Sequence, residues 1–441
     1  MDDISLSRIK YVLTDLGAKR IFIKKLAPND NSKNQVYLAG NLSALNILPY
    51  KGIQREHNVK RDKWRYKAPL DLFWVGENGQ REKAPDSQLI LYPQYPEVRM
   101  SGFLKRCKLA PSSIMASRDE GRILVLGICD TGEILAYACG RESRVARELE
   151  SQTGLECVGV FLELLLSESQ ILSPYQQLIA QLRRIHECGW INSKRLLADG
   201  STGPCEAPNC GGYTLEAELG VIPNGRAEPD YLGWEIKQYN VARFDPLGVA
   251  TITLMTPEPT GGYYAEQGVE AFLRKYGYPD KRGRPDRMNF GGVHKANSVH
   301  AGTGLFLKLD GYCPFTNKIT DFEGGIVLTN GTDIAAKWPF PALVEHWSRK
   351  HAQAAYIPSM CQVLDSRQYQ YGGTIFTGRG TDFTMFLSAM SKDSVYYDPG
   401  IKGENWSTGR AKIKRRSQFR INSRNLGDLY NSFDAVELLA S

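Results

Sequence analysis

The chain reads as a two-domain α/β (α+β) protein, mostly-β in its first part and mixed in its second. Three observations point there. At 441 residues it is too long for one ordinary core. Short strand-like runs dominate up to about residue 170, and a strongly signalled helix follows directly. The expected division is therefore 1–170 and 171–441.

The first region carries KRIFIKKL, SQLILYP, RILVLGI and EILAYAC, each rich in β-branched or aromatic residues and bounded by Gly, Asp or Pro. ARELESQTG and VFLELLLSES read as helical pieces near its end. The second region opens with SPYQQLIAQLRRIHECG. Ser173 can cap the helix, Pro174 suits its first turn, Leu178, Ile179, Leu182 and Ile185 form the apolar stripe, and Gly189 can end it. His186 lies beside that stripe, where a histidine is more often structural than catalytic. YLGWEIKQ, VATITLMT, TGLFLKLDG and GGIVLTNG then read as strands, ALVEHWSRKHAQ and DFTMFLSAMSK as helices. There is no internal repeat and no long low-complexity linker.

Composition narrows the class. Hydrophobic residues at 42% and charged residues at 23% are ordinary for a globular soluble chain. No apolar run reaches the roughly 18 residues of a membrane span, and MDDISLSRIKYVLTDLG lacks a signal-peptide core, so the expected location is cytoplasmic. Nine cysteines without a CxxC pair suggest reduced thiols. Cys205 and Cys210, in CEAPNC, are the one close pair; with no second pair to complete a zinc site, they are expected as free thiols in a polar loop.

The net charge of +7 is too mild to prove nucleic-acid binding. Its distribution is more telling. RAKIKRRSQFRINSR, residues 410–424, holds seven Lys or Arg and no acid. Such a run is often just a solvated face. Here Ile413, Phe419 and Ile421 can anchor it as a strand, presenting Arg410, Lys412, Lys414, Arg415 and Arg416 to phosphates or bases. Arg379 and Asp382 in TGRGTDF are further candidates for base readout.

The chemistry is concentrated in TLEAELGVIPNGRAEPDYLGWEIKQ, residues 214–238. On a strand Glu235 and Lys237 share a face, and Asp230 at its start can turn to the same spot. Two carboxylates there suit a hard cation such as Mg²⁺, the Ile236 carbonyl can complete the set, and the lysine can orient or help deprotonate water. D-x4-E-x-K also arises by chance, usually on a solvated strand. Tyr231, Leu232, Trp234 and Ile236 argue instead for an apolar, central strand, where charges need a reason to be buried.

At these residues the sequence resembles the MvaI/BcnI family of type II restriction endonucleases, a MutH-like branch of the PD-(D/E)XK nucleases. The likeness runs through TLEAELG, PNGRAEPDYLGWEIKQ, TLMTPEPTGG, FLRKYGYPDKRGRPDRMNFGG and RRSQFRI, in order over about residues 175–425. It implies a PD-(D/E)XK mixed-sheet domain, Asp230, Glu235 and Lys237 as the catalytic set with Mg²⁺, and Glu216 assisting from the preceding helix. One branch of the family ends the motif in His; here the residue is Lys237. Family members act as monomers on short GC-rich sites of duplex DNA, such as CCWGG.

KKLAPNDNSKNQVYL and PEVRMSGF resemble the effector domain of EcoRII-type enzymes, a DNA-binding β-pseudobarrel. That likeness implies that Asn34, Gln35, Tyr37, Glu97 and Arg99 face DNA, although NSKNQ replaces that family's Gly-rich turn and His. Together the two likenesses imply a type IIE-like enzyme that binds one copy of its site and cuts another. A MutH-like nicking or repair nuclease, or a catalytically silent DNA-binding protein, are the alternatives.

Overall fold

The computed structural model describes residues 4–28, 35–40, 42–58, 63–92, 97–152, 155–166, 172–207, 209–223 and 229–439. The chain divides into two compact units, Met1–Ser173 and Pro174–Ser441. The expected boundary at residue 170 lies outside the described residues. No helix among them is long and apolar enough to cross a membrane.

The first unit holds a seven-stranded and a five-stranded sheet. In the larger, Ala18–Leu26 lies between Arg122–Cys129 and Phe161–Leu164, antiparallel to both. The helix Leu6–Asp15 starts where Ser5 accepts the Arg8 N–H at 3.2 Å. Its Leu6, Ile9, Val12 and Leu13 are buried in the same core as Ile21, Ile23, Val125 and Leu135.

VFLELLLSES was expected to be helical; Phe161–Leu164 is a strand instead. Its pairing to Ala18–Leu26 buries Phe161 and Leu164, and Glu163 meets Arg20 in a two-pronged ion pair at 2.7 and 2.8 Å. Tertiary pairing overrides the leucine-rich local pattern.

In the second unit the central strand is Gln353–Val363. It runs parallel to Glu235–Asn240 on one side and antiparallel to Arg367–Tyr371 and Thr374–Arg379. Trp190–Asn192 and Ser432–Glu437 extend the sheet. Helices Pro174–Glu187 and Cys210–Glu218 contribute Leu178, Leu182, Ile185 and Leu215 to a core shared with Trp234, Ile236, Ala355 and Ile357. The helix Phe340–Lys350 buries Leu343, Val344 and Trp347 and leads straight into the central strand.

Two expectations are corrected here. The strand read from YLGWEIKQ begins only at Glu235. Tyr231 and Trp234 close a tight turn through two backbone bonds of 3.0 and 2.8 Å. Leu232 and Gly233 have φ of 47° and 84°, the consecutive left-handed pair of a type I′ turn. Among the described residues this strand pairs with one neighbour, so it is an edge strand and not a central one. Cys205 and Cys210 are joined by a disulfide. Both cysteines are buried in the apolar core rather than standing as free thiols in a polar loop.

Candidate active site

The turn at 232–233 reverses the chain so that Asp230 returns alongside the strand it precedes. Its Oδ2 accepts the Ile236 N–H at 2.9 Å. In an extended strand the N–H and C=O of one residue project to the same edge. The Ile236 carbonyl therefore lies on the Asp230 side, away from the bonds to the central strand.

Glu235 and Lys237 do share a face: Lys237 Nζ is 2.6 Å from Glu235 Oε1, and the Glu235 side chain is only 3% exposed. Glu216 comes from the helix Cys210–Glu218. That helix lies close to the strand because Gly211 has no side chain; a Cβ there would sit 2.8 Å from the Gln238 carboxamide. The Tyr371 hydroxyl donates to the Gly211 carbonyl at 2.8 Å and pins the contact.

The electrostatics follow from crowding acids in a partly dry place. Burial, then the charges of Asp230 and Glu235, push Glu216 up to about 7. Burial, then Glu235, push Asp230 up to about 6. Burial also acts upward on Glu235, but the ammonium groups of Lys237 and Lys350 outweigh it and hold the group below its ordinary value. Burial acts downward on Lys237, yet Glu235 raises it overall, so Lys237 is an ammonium at neutral pH.

Sequence reasoning expected a helix over ALVEHWSRKHAQ, seen here as Phe340–Lys350, but did not place it at the site. Lys350 Nζ reaches within 3.9 Å of Glu235 Oε1. His346 is depressed by burial, then by Lys350 and Lys237. His351, stacked on Trp347 at 4.1 Å, donates Nε2–H to the Leu254 carbonyl at 3.2 Å. Burial takes it down to about 3, which keeps it neutral. The parallel register that sets Glu235 opposite Ala354 brings these residues in, and no local motif signals it.

The donor set suits a small hard cation. Glu235 Oε2 is buried without a hydrogen-bond partner, and acids that raise one another's pKa gain from a shared positive charge. No group of three or more His, Cys, Asp or Glu among the described residues could hold a metal by itself. Mg²⁺ asks for less: one or two carboxylates, here Asp230 and Glu235, with the Ile236 carbonyl and water.

The other expected residues are elsewhere. Arg379 stacks its guanidinium on Tyr175 and Trp234, 4.2 and 5.3 Å from the ring centres. Asp382 caps the helix that follows: its Oδ1 accepts the Thr384 and Met385 N–H groups at 2.7 and 3.1 Å. Arg410, Lys412, Lys414, Arg415 and Arg416 are all exposed, and Lys412–Lys414 is a short strand beside Gly400–Glu404. In the first unit Asn34 lies outside the described residues. Tyr37 is directly opposite Arg99. Arg99 pairs with Glu97, reaches Gln35 Oε1 at 3.3 Å and lies over the Tyr92 ring.

The second unit has the restriction-endonuclease fold, a mixed sheet flanked by helices with its acid–lysine strand at the edge. Residues 179–430, more than half of the chain, match the MvaI/BcnI restriction endonuclease family. The chain belongs to that family and is thus a DNA-cleaving type II enzyme. Two solved structures are similar. One is the restriction endonuclease MvaI–cognate DNA substrate complex, at 17% identity and a TM-score of 0.44, covering 60% of this chain and 99% of that one. The other is MvaI in the absence of DNA, at 15% identity and a TM-score of 0.33, covering 60% and 98%. No curated protein matches the chain.

Proposed function

We propose that the protein is a Mg²⁺-dependent type II restriction endonuclease that acts as a monomer on duplex DNA at a short GC-rich site such as CCWGG. The observation that carries the metal-dependent reading is the buried, unpartnered Glu235 Oε2 beside Asp230 and Lys237. Asp230, Glu235 and the Ile236 carbonyl would hold the ion, which supplies a Lewis acid for the phosphoryl oxygen and favours hydroxide near phosphorus. Lys237, held as an ammonium, donates hydrogen bonds that orient the attacking water and offset charge on the phosphate. Glu216, near neutrality at about 7, is suited to take that water's proton.

Asp230→Ala, Glu235→Ala and Lys237→Ala each abolish cleavage in Mg²⁺ while duplex binding in Ca²⁺ persists. Near-wild-type cutting by either carboxylate variant would refute the assignment. The products decide between the remaining readings: linear plasmid with ends at one sequence for restriction, persistent nicked circles for a MutH-like enzyme, and intact plasmid for a silent binder.

We also propose that residues 1–170 form an effector domain that binds a second copy of the site. Its five-stranded sheet is two-sided. Leu38, Val98, Met100, Leu89 and Leu91 are buried on one face, while Tyr37, Arg99 and Lys67 fall on the other by register, around a buried Ile90. A polar, cationic and aromatic sheet face suits a DNA groove.

A further inference from the structure

The segment YGYPDKRGRPDRMNFGG is absorbed by neither the catalytic set nor the basic run, yet it forms one surface with that run. Tyr278–Pro279, Arg287–Gly291, Gly400–Glu404 and Lys412–Lys414 are the four strands of one antiparallel sheet, in that order. Asn289 stands opposite Lys402, and Lys402 opposite Lys414; Arg287 stands opposite Glu404, and Glu404 opposite Lys412. Residues in register lie on one face of a sheet. The other face is apolar and closed: Phe290 and Ile401 are 0% and 1% exposed, and Phe290 packs on Phe272.

The polar face holds a cleft of about 310 Å³. Five cations line it, Lys281, Arg282, Arg284, Arg287 and Lys402, against one acid, Asp280. That acid is used internally. Its Oδ1 accepts the Arg282 and Arg284 N–H groups at 2.8 and 3.3 Å, and its Oδ2 accepts from Asn289 Nδ2 at 2.8 Å. Lys281, Arg282 and Arg284 are thereby displayed on an exposed turn. Arg287 is different: its side chain is only 16% exposed, and Nε donates to Asn289 Oδ1 at 3.0 Å, with Asp280 at 3.4 Å and Glu404 at 3.7 Å. Such a held guanidinium is a fork already fixed in orientation.

We infer that this sheet face is the duplex-docking surface of the nuclease unit, with Lys281, Arg282 and Arg284 gripping phosphates and Arg287 reading a base edge. The inference rests on the DNA-cleaving reading above. Charge complementarity selects the partner: cations at strand and turn spacing match a regular polyanion, and a fixed fork matches guanine O6 and N7.

The test uses the full chain and a labelled duplex carrying the sequence mapped from cut plasmid ends, with a scrambled duplex alongside. Binding is titrated in Ca²⁺ across salt. Lys281→Ala/Arg282→Ala/Arg284→Ala, all on the exposed turn, lowers the slope of log K against log salt by about 2–3, because each lost phosphate contact removes about 0.9. Arg287→Lys keeps the charge and loses the fork, so mapped-over-scrambled preference falls about ten- to a hundredfold while scrambled binding holds. Thermal melts confirm that both variants fold. An unchanged salt slope in the triple variant overturns the docking face, and unchanged discrimination in Arg287→Lys overturns the base reader. If the wild-type chain cuts no plasmid, the nuclease reading fails and this inference fails with it; wild-type cutting with unaffected variants refutes the inference alone.

Discussion

Glu216 stores an electrostatic cost in the site. Its carboxyl is raised from 4.5 to about 7, chiefly by burial and then by Asp230 and Glu235. The folded chain thus holds an extra proton between those values, and the stability this proton confers is lost as pH rises through about 7. Glu216→Gln removes that loss. With a discount for partial exposure, the metal-free variant is more stable than wild type by about 1–2 kcal/mol at pH 8. The gain nearly vanishes at pH 5, while cleavage in Mg²⁺ falls. Urea melts at both pH values check this; a gain of equal size at pH 5 would show that packing, not charge, is responsible. Single residues were unevenly legible in the sequence. Glu235 and Lys237 could be paired by the two-residue period of a strand. Lys350 could not, because it arrives through a parallel register 115 positions from its partner's motif, Glu235 to Lys350. Asp382, a candidate reader in TGRGTDF, also caps the following helix through its backbone bonds, a role the sequence reading did not assign.

Among elements, the turn before the Glu235–Asn240 strand carries the most consequence. Gly233 sits at φ 84°, where an L side chain is strained, and its partner Leu232 already bears that strain at φ 47°. Gly233→Ala therefore costs about 1–2 kcal/mol of stability. It also shifts Asp230 off the Ile236 N–H, so cleavage falls further than the lost stability accounts for. Leu232→Asn relieves the strain, since Asn tolerates left-handed backbone, and leaves cleavage intact. A urea midpoint and a plasmid assay on each variant decide it; full activity in Gly233→Ala would mean that Asp230 does not depend on the turn. The sequence disguised this turn because Tyr, Leu, Trp and Ile read as one β-prone run, and Leu is not a residue that announces positive φ. VFLELLL misled in the opposite sense: its leucines suit a helix, but the bidentate Arg20–Glu163 pair and the burial of Phe161 and Leu164 belong to a strand. The helix Pro174–Glu187 was plain, since its buried positions Leu178, Leu182 and Ile185 repeat at helical spacing and Pro174 begins it.

At the scale of the whole molecule, two units invite a division of labour. The proposed catalytic acids all lie in Pro174–Ser441, whereas Met1–Ser173 offers a sheet with one apolar and one largely polar face. Positive charge recurs in the first unit in KRIFIKKL and in REHNVKRDKWRYK. On the face shared by Tyr37 and Arg99, the Arg99 guanidinium is held by Glu97 and lies over Tyr92, a restrained group of the kind that reads DNA rather than merely attracts it. If this unit binds the sequence that the other cuts, a second site on the same DNA is presented at high effective concentration, about millimolar for a short connection. A two-site plasmid is then cut faster than a one-site plasmid. A cleavage-resistant duplex carrying the site accelerates cutting of the one-site plasmid, with coupling of about 1–3 kcal/mol, or roughly five- to a hundredfold in rate. Arg99→Ala abolishes the acceleration and leaves basal one-site cutting unchanged, because the nuclease unit keeps its own site. Equal rates on both plasmids, with no response to the added duplex, would reduce the first unit to a clamp or scaffold. Loss of basal cutting in Arg99→Ala would instead place that residue in binding of the substrate copy.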